Sequence, residues 1–206
     1  MKRKSIGNLW YNIIRWINGN LKVGGIMLND LDRLKTYLLS DNISLVEDEV
    51  FLIIPELKNE KNFEQKSEWH SFDVWNHTLA TINACDKNFE DRLVLLLHDI
   101  GKPFSFQEEG NIRHFKNHAK KSADMAKAIL LRLNIPKSEI DIMVKLIELH
   151  SSKIKIQDIN KENKDFCKRL LKIQKCDAMG YEKEHAIQIC QQLENIEAKF
   201  KTFYKK

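Results

Sequence analysis

From Asp30 to Phe200 apolar residues return every three or four positions, and only three prolines interrupt a chain of 206 residues. That rhythm is the α-helical period, so the chain must fold as helices packing their apolar stripes together. Leu31, Leu34, Leu38 and Leu39 set the first helix, and Pro55-Glu56-Leu57 opens or joins a short one. Asp73 is placed to cap a helix running to Ala84. Arg92 to Ile100 is strongly apolar and reads as a central buried helix. Further helices are expected from about His118 to Leu133, Pro136 to Leu149, Lys164 to Met179 and Lys183 to Phe200, with Pro136 in the first turn of its own. Phe104 to Phe115, with Gly110-Asn111 at its middle, reads as a small hairpin or an irregular loop. The expected fold class is therefore all-α, a helical bundle with a small hairpin or loop insert.

This length suits one well-buried domain, assigned to residues 27–206, and leaves residues 1–26 as an N-terminal amphipathic helical extension. In that extension Leu9, Trp10, Ile13, Ile14 and Ile17 form an apolar stripe beside Lys2, Arg3 and Lys4, and Gly24-Gly25 marks a break. Such a helix can lie on a membrane surface or pack on a neighbouring domain or subunit. Alternatively, translation starts at Met27. Asn12 and Arg15 interrupt what would be the apolar part of an export signal, and no apolar run approaches the roughly 18 residues of a membrane span. Cys85, Cys167, Cys176 and Cys190 form no Cys-x-x-Cys pair and read as reduced, mostly buried residues of a cytoplasmic protein. The net charge of +5 is mild and spread over lysine-rich helix faces, so it reads as solvated surface that also favours phosphate-bearing ligands.

Seven histidines are present, and His77, His98, His118 and His150 each fall in or at the edge of an expected helix. His98-Asp99 stands out because it ends the run Leu93-Val94-Leu95-Leu96-Leu97. Burying an imidazole and a carboxylate there is costly unless something pairs both, and a divalent cation does. Adjacent helical residues point about 100° apart, so the two reach one ion only from a helix end, where Gly101 lets the chain turn away.

These residues resemble the signature of the HD superfamily of metal-dependent phosphohydrolases, a lone His, a His-Asp pair and a distal Asp. Here they are His77 in Val74-Trp75-Asn76-His77-Thr78-Leu79, His98-Asp99 in the hexapeptide running to Pro103, and Asp177 in Cys176-Asp177-Ala178-Met179-Gly180. The dipeptide alone carries little; the hexapeptide behind an apolar helix, with a histidine 21 residues upstream, carries much more. From about Asp30 to Gly180 the chain is similar to the HD domain attached to some bacterial tRNA nucleotidyltransferases. Pro55-Glu56-Leu57, Gln65, His70, Asp73-Val74-Trp75, His77-Thr78-Leu79, His98 to Pro103, Phe115 with His118 and the helix ending at His150 fall in that order. Two positions depart from it: an acidic residue usually stands where this chain has Ala119, and a second histidine often stands at Ser151. Val23-Gly24-Gly25 and Asp30-Leu31-Asp32 echo elements of the nucleotidyltransferase itself, but about thirty residues do not make its sheet, and the echo reads as chance.

The resemblance implies an enzyme holding one or two divalent cations, with Mn, Fe, Co, Ni, Zn and Mg all compatible with imidazole and carboxylate ligands. His77, His98, Asp99 and Asp177 satisfy one ion; His118 and His150 add enough ligands for a second, with Asp99 as the bridge, and two are expected. Such a site activates water and clamps phosphoryl oxygens for in-line attack on phosphorus. Asp99 and Lys102 are the expected catalytic residues. Lys102 either offsets charge on the phosphoryl group or is a surface lysine holding a helix end. Lys102 and His70 are the substrate-binding candidates; His114 reads as an exposed spectator. Trp69 and Trp75 read as core packing ahead of stacking on a base. The expected function is hydrolysis of phosphomonoesters or phosphodiesters of nucleotides or short oligonucleotides. The alternatives are a hydrolase of nucleoside triphosphates or signalling nucleotides, disfavoured by the missing Gly-Tyr-Pro extension of one such branch, and a metal-stabilised binding module without turnover. The expected partners are a nucleotide or other phosphate-ester substrate, RNA, and a second copy of the chain.

Overall fold

A computed structural model describes residues 22–23, 26–27, 29–155 and 163–203. The amphipathic stretch Leu9 to Ile17 and the pair Gly24-Gly25 lie outside these. Strands β1 (Lys22–Val23) and β2 (Ile26–Met27) pair antiparallel, a feature the periodicity does not anticipate. The body is made of α1 (Asp30–Leu38), α2 (Glu47–Ile53), α3 (Val74–Ala84), α4 (Phe89–Leu97), α5 (His118–Arg132), α6 (Lys137–Leu149), α7 (Lys164–Ala178) and α8 (Lys183–Phe203). Between α4 and α5 a hairpin, β3 (Gln107–Glu109) and β4 (Ile112–His114), turns at Gly110, whose φ of 61° suits glycine. This is the all-α bundle with a small hairpin insert that the apolar rhythm predicts. None of the described helices is long and apolar enough to cross a membrane.

α4 is the hub. Leu93 to Leu97 are all buried, so no face of this stretch meets water, and α1, α3, α5, α6 and α7 pack around the helix. Truncating any of these leucines to alanine would cost about 2–5 kcal/mol. The helix begins at Phe89, ahead of the apolar run, because Asn88 Oδ1 accepts a hydrogen bond from the Asp91 amide at 2.9 Å. Asn29 caps α1 in the same way. Asp30 and Asp32 are therefore first-turn acids that suit a helix N-terminus, which agrees with reading their spacing as chance. Asp73 caps α3 as expected, accepting from Asn76 N at 2.7 Å, and its second oxygen accepts from Asn62 N at 2.8 Å.

The N-terminal end of α4 carries a buried ion and donor network. Arg92 donates to the carbonyls of Leu38, Ser40, Cys85 and Asp86, the chain just at the ends of α1 and α3. Asp91 accepts from Arg169 and Lys172 of α7. Two adjacent residues thus tie three helices to the hub. Trp75 is core as expected, 1% exposed, tilted on Phe51 and donating its indole N–H to Glu47. Trp69 is not: it is 45% exposed, because it sits in the irregular segment before α3, with no helical stripe to bury it. Cys85, Cys167 and Cys176 are buried thiols, and Cys190 is partly buried.

Candidate metal centre

At its other end α4 stops at Leu97, and the chain delivers His98 and Asp99 from the turn that follows. Around them converge His77 from the first turns of α3, Asp177 from the last turn of α7, His118 from the first residue of α5 and His150 at the end of α6. The sequence-predicted set meets in one buried place. Asp99 divides it in two. Its Oδ2 lies 3.4 Å from His77 Nε2 and 3.2 Å from His98 Nε2, while Asp177 Oδ1 sits 2.9 and 3.3 Å from the same two nitrogens. Its Oδ1 faces the other way, 3.5 Å from His118 Nε2 and 3.6 Å from His150 Nε2.

All four imidazoles are oriented by one device. Each places Nδ1 on a backbone carbonyl: His77 on Gly180 at 3.0 Å, His98 on Leu95 at 2.6 Å, His118 on Phe115 at 2.8 Å and His150 on Ile147 at 2.7 Å. A ring that donates from Nδ1 presents Nε2 as a lone pair, the form in which imidazole holds a metal. Phe115 O sets the His118 ring where Ala119 supplies no neighbouring carboxylate. Ser151 is exposed and outside the cluster.

The donor set fits a cation. His77 and His98 face each other Nε2 to Nε2 at 3.3 Å, and His118 and His150 at 3.2 Å. Two nitrogens each about 2.0–2.1 Å from one zinc-sized ion stand roughly 3.0–3.4 Å apart at ordinary bond angles. Asp99 Oδ1 is buried and lacks a hydrogen-bond partner. Opposed lone pairs and an orphaned carboxylate oxygen are costly unless positive charge lies between them. The electrostatics agree. Burial works to lower His98, yet the Asp99 and Asp177 carboxylates outweigh it and hold that ring well above the usual histidine range, so without a metal a proton on Nε2 supplies the positive charge that a cation would replace. Burial likewise works to raise Asp99 and Asp177, but the charges and hydrogen bonds of His98, Lys102 and His77 hold both well below the usual carboxylate range. At His118 burial prevails over Asp99 and brings the ring down to about 4, the neutral form.

Two glycines keep the cluster tight. A Cβ on Gly180 would stand 2.3 Å from His77 Nδ1. One on Gly101 would stand 2.6 Å from Ser122 N and 2.8 Å from His118 O. Gly101 has ordinary right-handed dihedrals, φ −83° and ψ −14°, so glycine is needed there for the close approach of α5 and not to turn the chain.

Lys102 is buried, 4% exposed, which excludes the surface role. Its Nζ donates to Asp99 Oδ2 at 2.7 Å and to Gln65 Oε1 at 2.7 Å, and Gln65 in turn donates to Phe72 O. His70 adjoins the His77 and Tyr181 rings and holds Ser67 Oγ through Nδ1, while its Nε2 is buried without a partner. Burial, helped by the Lys102 charge, lowers His70 to about 3. His114 lies apart on the exposed hairpin, paired with Glu109. Sequence reasoning did not single out three neighbours. Tyr181 packs on His70 and His77, and Asp177 followed by burial raises its phenol well above normal. Glu60 is buried, and burial followed by the Asp99 charge raises its carboxyl well above normal. Gly180 orients His77. Only the position of Tyr181 and Gly180 just past Asp177 could have hinted at them.

The HD-domain family model matches residues 70–192. Over 92 residues the chain is 30% identical to a CC-adding tRNA nucleotidyltransferase of Thermus thermophilus, which is 41% of this chain and 21% of that protein. Over 114 residues it is 27% identical to an A-adding tRNA nucleotidyltransferase of Deinococcus radiodurans, 52% of this chain and 26% of that one. The chain thus spans about a quarter or less of the length of these curated relatives. HD domains bind divalent metals, and the family match covers more than half of the chain, including the six converging side chains. The chain belongs to the HD-domain family, within the superfamily of metal-dependent phosphohydrolases.

Proposed function

We propose that the protein hydrolyses phosphomonoesters or phosphodiesters of nucleotides or short oligonucleotides at this centre. The observation that carries the reading is the two-sided Asp99, one oxygen turned to His77 and His98, which Asp177 also meets, and the other to His118 and His150. In this reading His77, His98, Asp99 and Asp177 would hold one divalent cation, and Asp99, His118 and His150 would hold a second. Bound there, such cations lower the pKa of water and neutralise charge on phosphoryl oxygens.

The chain's own residues do the rest. The Nδ1 anchors fix four imidazoles before any ligand arrives, so little reorganisation accompanies binding. Lys102 has three N–H groups and spends two on Asp99 and Gln65; the third is free to meet a phosphoryl oxygen as charge builds there. His70 Nε2, buried without a partner beside His77, is available to a second polar atom of the ester. Hydrolysis forms one P–O bond from water, breaks the ester P–O bond and passes a proton to the leaving oxygen. The relatives' names point to tRNA as one source of such esters. The test is a screen of purified protein with each divalent metal against nucleotides, cyclic nucleotides and short RNAs. Metal-dependent release of phosphate or opening of a diester is expected; a metal-loaded protein silent across the panel would sink the reading.

A further inference from the structure

An open cleft of about 820 Å³ runs outward between residues 66–69 and the hairpin side, residues 111–116. Two of its lining residues, Phe115 and Ser67, touch residues at the metal centre. Phe115 lends its carbonyl to His118 and its ring lies 5.4 Å from Lys102 Nζ, and Ser67 Oγ holds His70. A ligand that has its phosphate at the centre and extends past Phe115 or Ser67 reaches this cleft. One wall carries Trp69, 45% exposed, and the other Ile112, 53% exposed. Trp69 is not loose: His185 stacks behind it at 4.4 Å with 28° between the rings, and Tyr181 and His70 continue the column to His77.

An indole backed on one face and half open to solvent costs exposed apolar area, which a flat ligand would cover. Around it the cleft is polar and mildly basic. Ser67 and Asn111 offer hydrogen bonds, and Lys66 and Arg113 both hold Glu108. Lys116 has no ion-pair partner among the described residues. A flat ring carrying hydrogen-bonding edges and linked to a phosphate is a nucleotide. We infer that Trp69 is the stacking platform for the nucleobase of the substrate, in the cleft between residues 66–69 and 111–116. The inference rests on the phosphohydrolase reading above and adds where the base lies.

Adenosine and ribose separate the two ideas, because neither is an ester. The full-length protein is titrated with each while the indole N–H resonances are followed, that of Trp69 being assigned by its loss in Trp69→Phe. Adenosine should shift the Trp69 resonance saturably and ribose should not. Followed on other resonances, adenosine affinity should fall roughly tenfold in Trp69→Ala and stay within about threefold in Trp69→Phe. An unmoved Trp69 resonance, an equal response to ribose, or unchanged affinity in Trp69→Ala overturns the assignment. So does a Trp69→Ala variant that only turns a dimer into a monomer, which would make this face a contact between copies. Docking without turnover in the screen above sinks the hydrolase reading and leaves this one; turnover without docking does the reverse.

Discussion

Each end of α4 buries a charged or titratable pair, Asp91-Arg92 at the N-terminal end and His98-Asp99 at the C-terminal end, and the chain treats them differently. Around Arg92 the accounting closes: four carbonyls accept from one guanidinium, and Asp91 meets two cations. Around Asp99 it does not close. Imidazole lone pairs oppose each other and one carboxylate oxygen is left over. A satisfied buried network holds helices together, whereas a convergent network left open calls for a ligand. Both are polar and both are buried, so burial alone would not tell them apart.

The largest effect should come from the residue that joins the two half-sites. Asp99→Ala is expected to cut hydrolysis to below a few percent while the circular dichroism of the helices stays unchanged, because Leu93 to Leu97 hold α4 in place. Activity above that level would mean the cations are held without Asp99. Next, His118→Ala with His150→Ala removes one side only. Elemental analysis should fall from close to two metals per chain to about one, with most turnover lost. One metal in both proteins under saturating metal would assign these histidines to substrate instead.

The opposite end should break differently. Arg92→Met strips donors from four carbonyls near the ends of α1 and α3 and leaves Asp91 with its lysine and arginine. A loss of about 3–5 kcal/mol is expected, read from urea unfolding, with metal content of the folded fraction unchanged. A midpoint that barely moves would show that water replaces the guanidinium there, and the contrast between the two ends would weaken.

Much of this contrast is written locally, and the rest is not. The apolar run Leu93 to Leu97 announces the hub, and a histidine-aspartate pair at its end announces the centre. Asp73 gives the start of α3 because a cap is a three-residue affair. α2 was missed: it has seven residues and no side-chain cap, so only Glu47-Asp48-Glu49 before Val50 and Phe51 marks it. Trp69 was misjudged because the burial of a loop tryptophan depends on what the fold brings beside it. The partners that define chemistry lie farther apart still. Gln65 meets Lys102 across 37 residues, and Gly180 meets His77 across 103, distances at which no local pattern speaks.

Gly180 and Gly101 allow the finest division of the open end, between its two halves. A methyl on Gly180 meets the His77 ring and nothing else among its nearest contacts, so Gly180→Ala should push His77 off the Asp177 side while α7 stays in place. A methyl on Gly101 meets the backbone of Ser122 and His118, so Gly101→Ala should displace the start of α5 and with it His118. In chelator competition Gly180→Ala should weaken the tighter or looser of the two ions by about 10–100-fold and leave the other near wild type, and Gly101→Ala should do the same to the ion that Gly180→Ala spares. Melting temperatures serve as the control: Gly180→Ala should stay close to wild type, because its clash is with one ring, while Gly101→Ala should fall, because its clash is with backbone. If both variants weaken the same ion, Asp99 does not divide the centre, and the two-sided geometry reduces to a single site with surplus histidines.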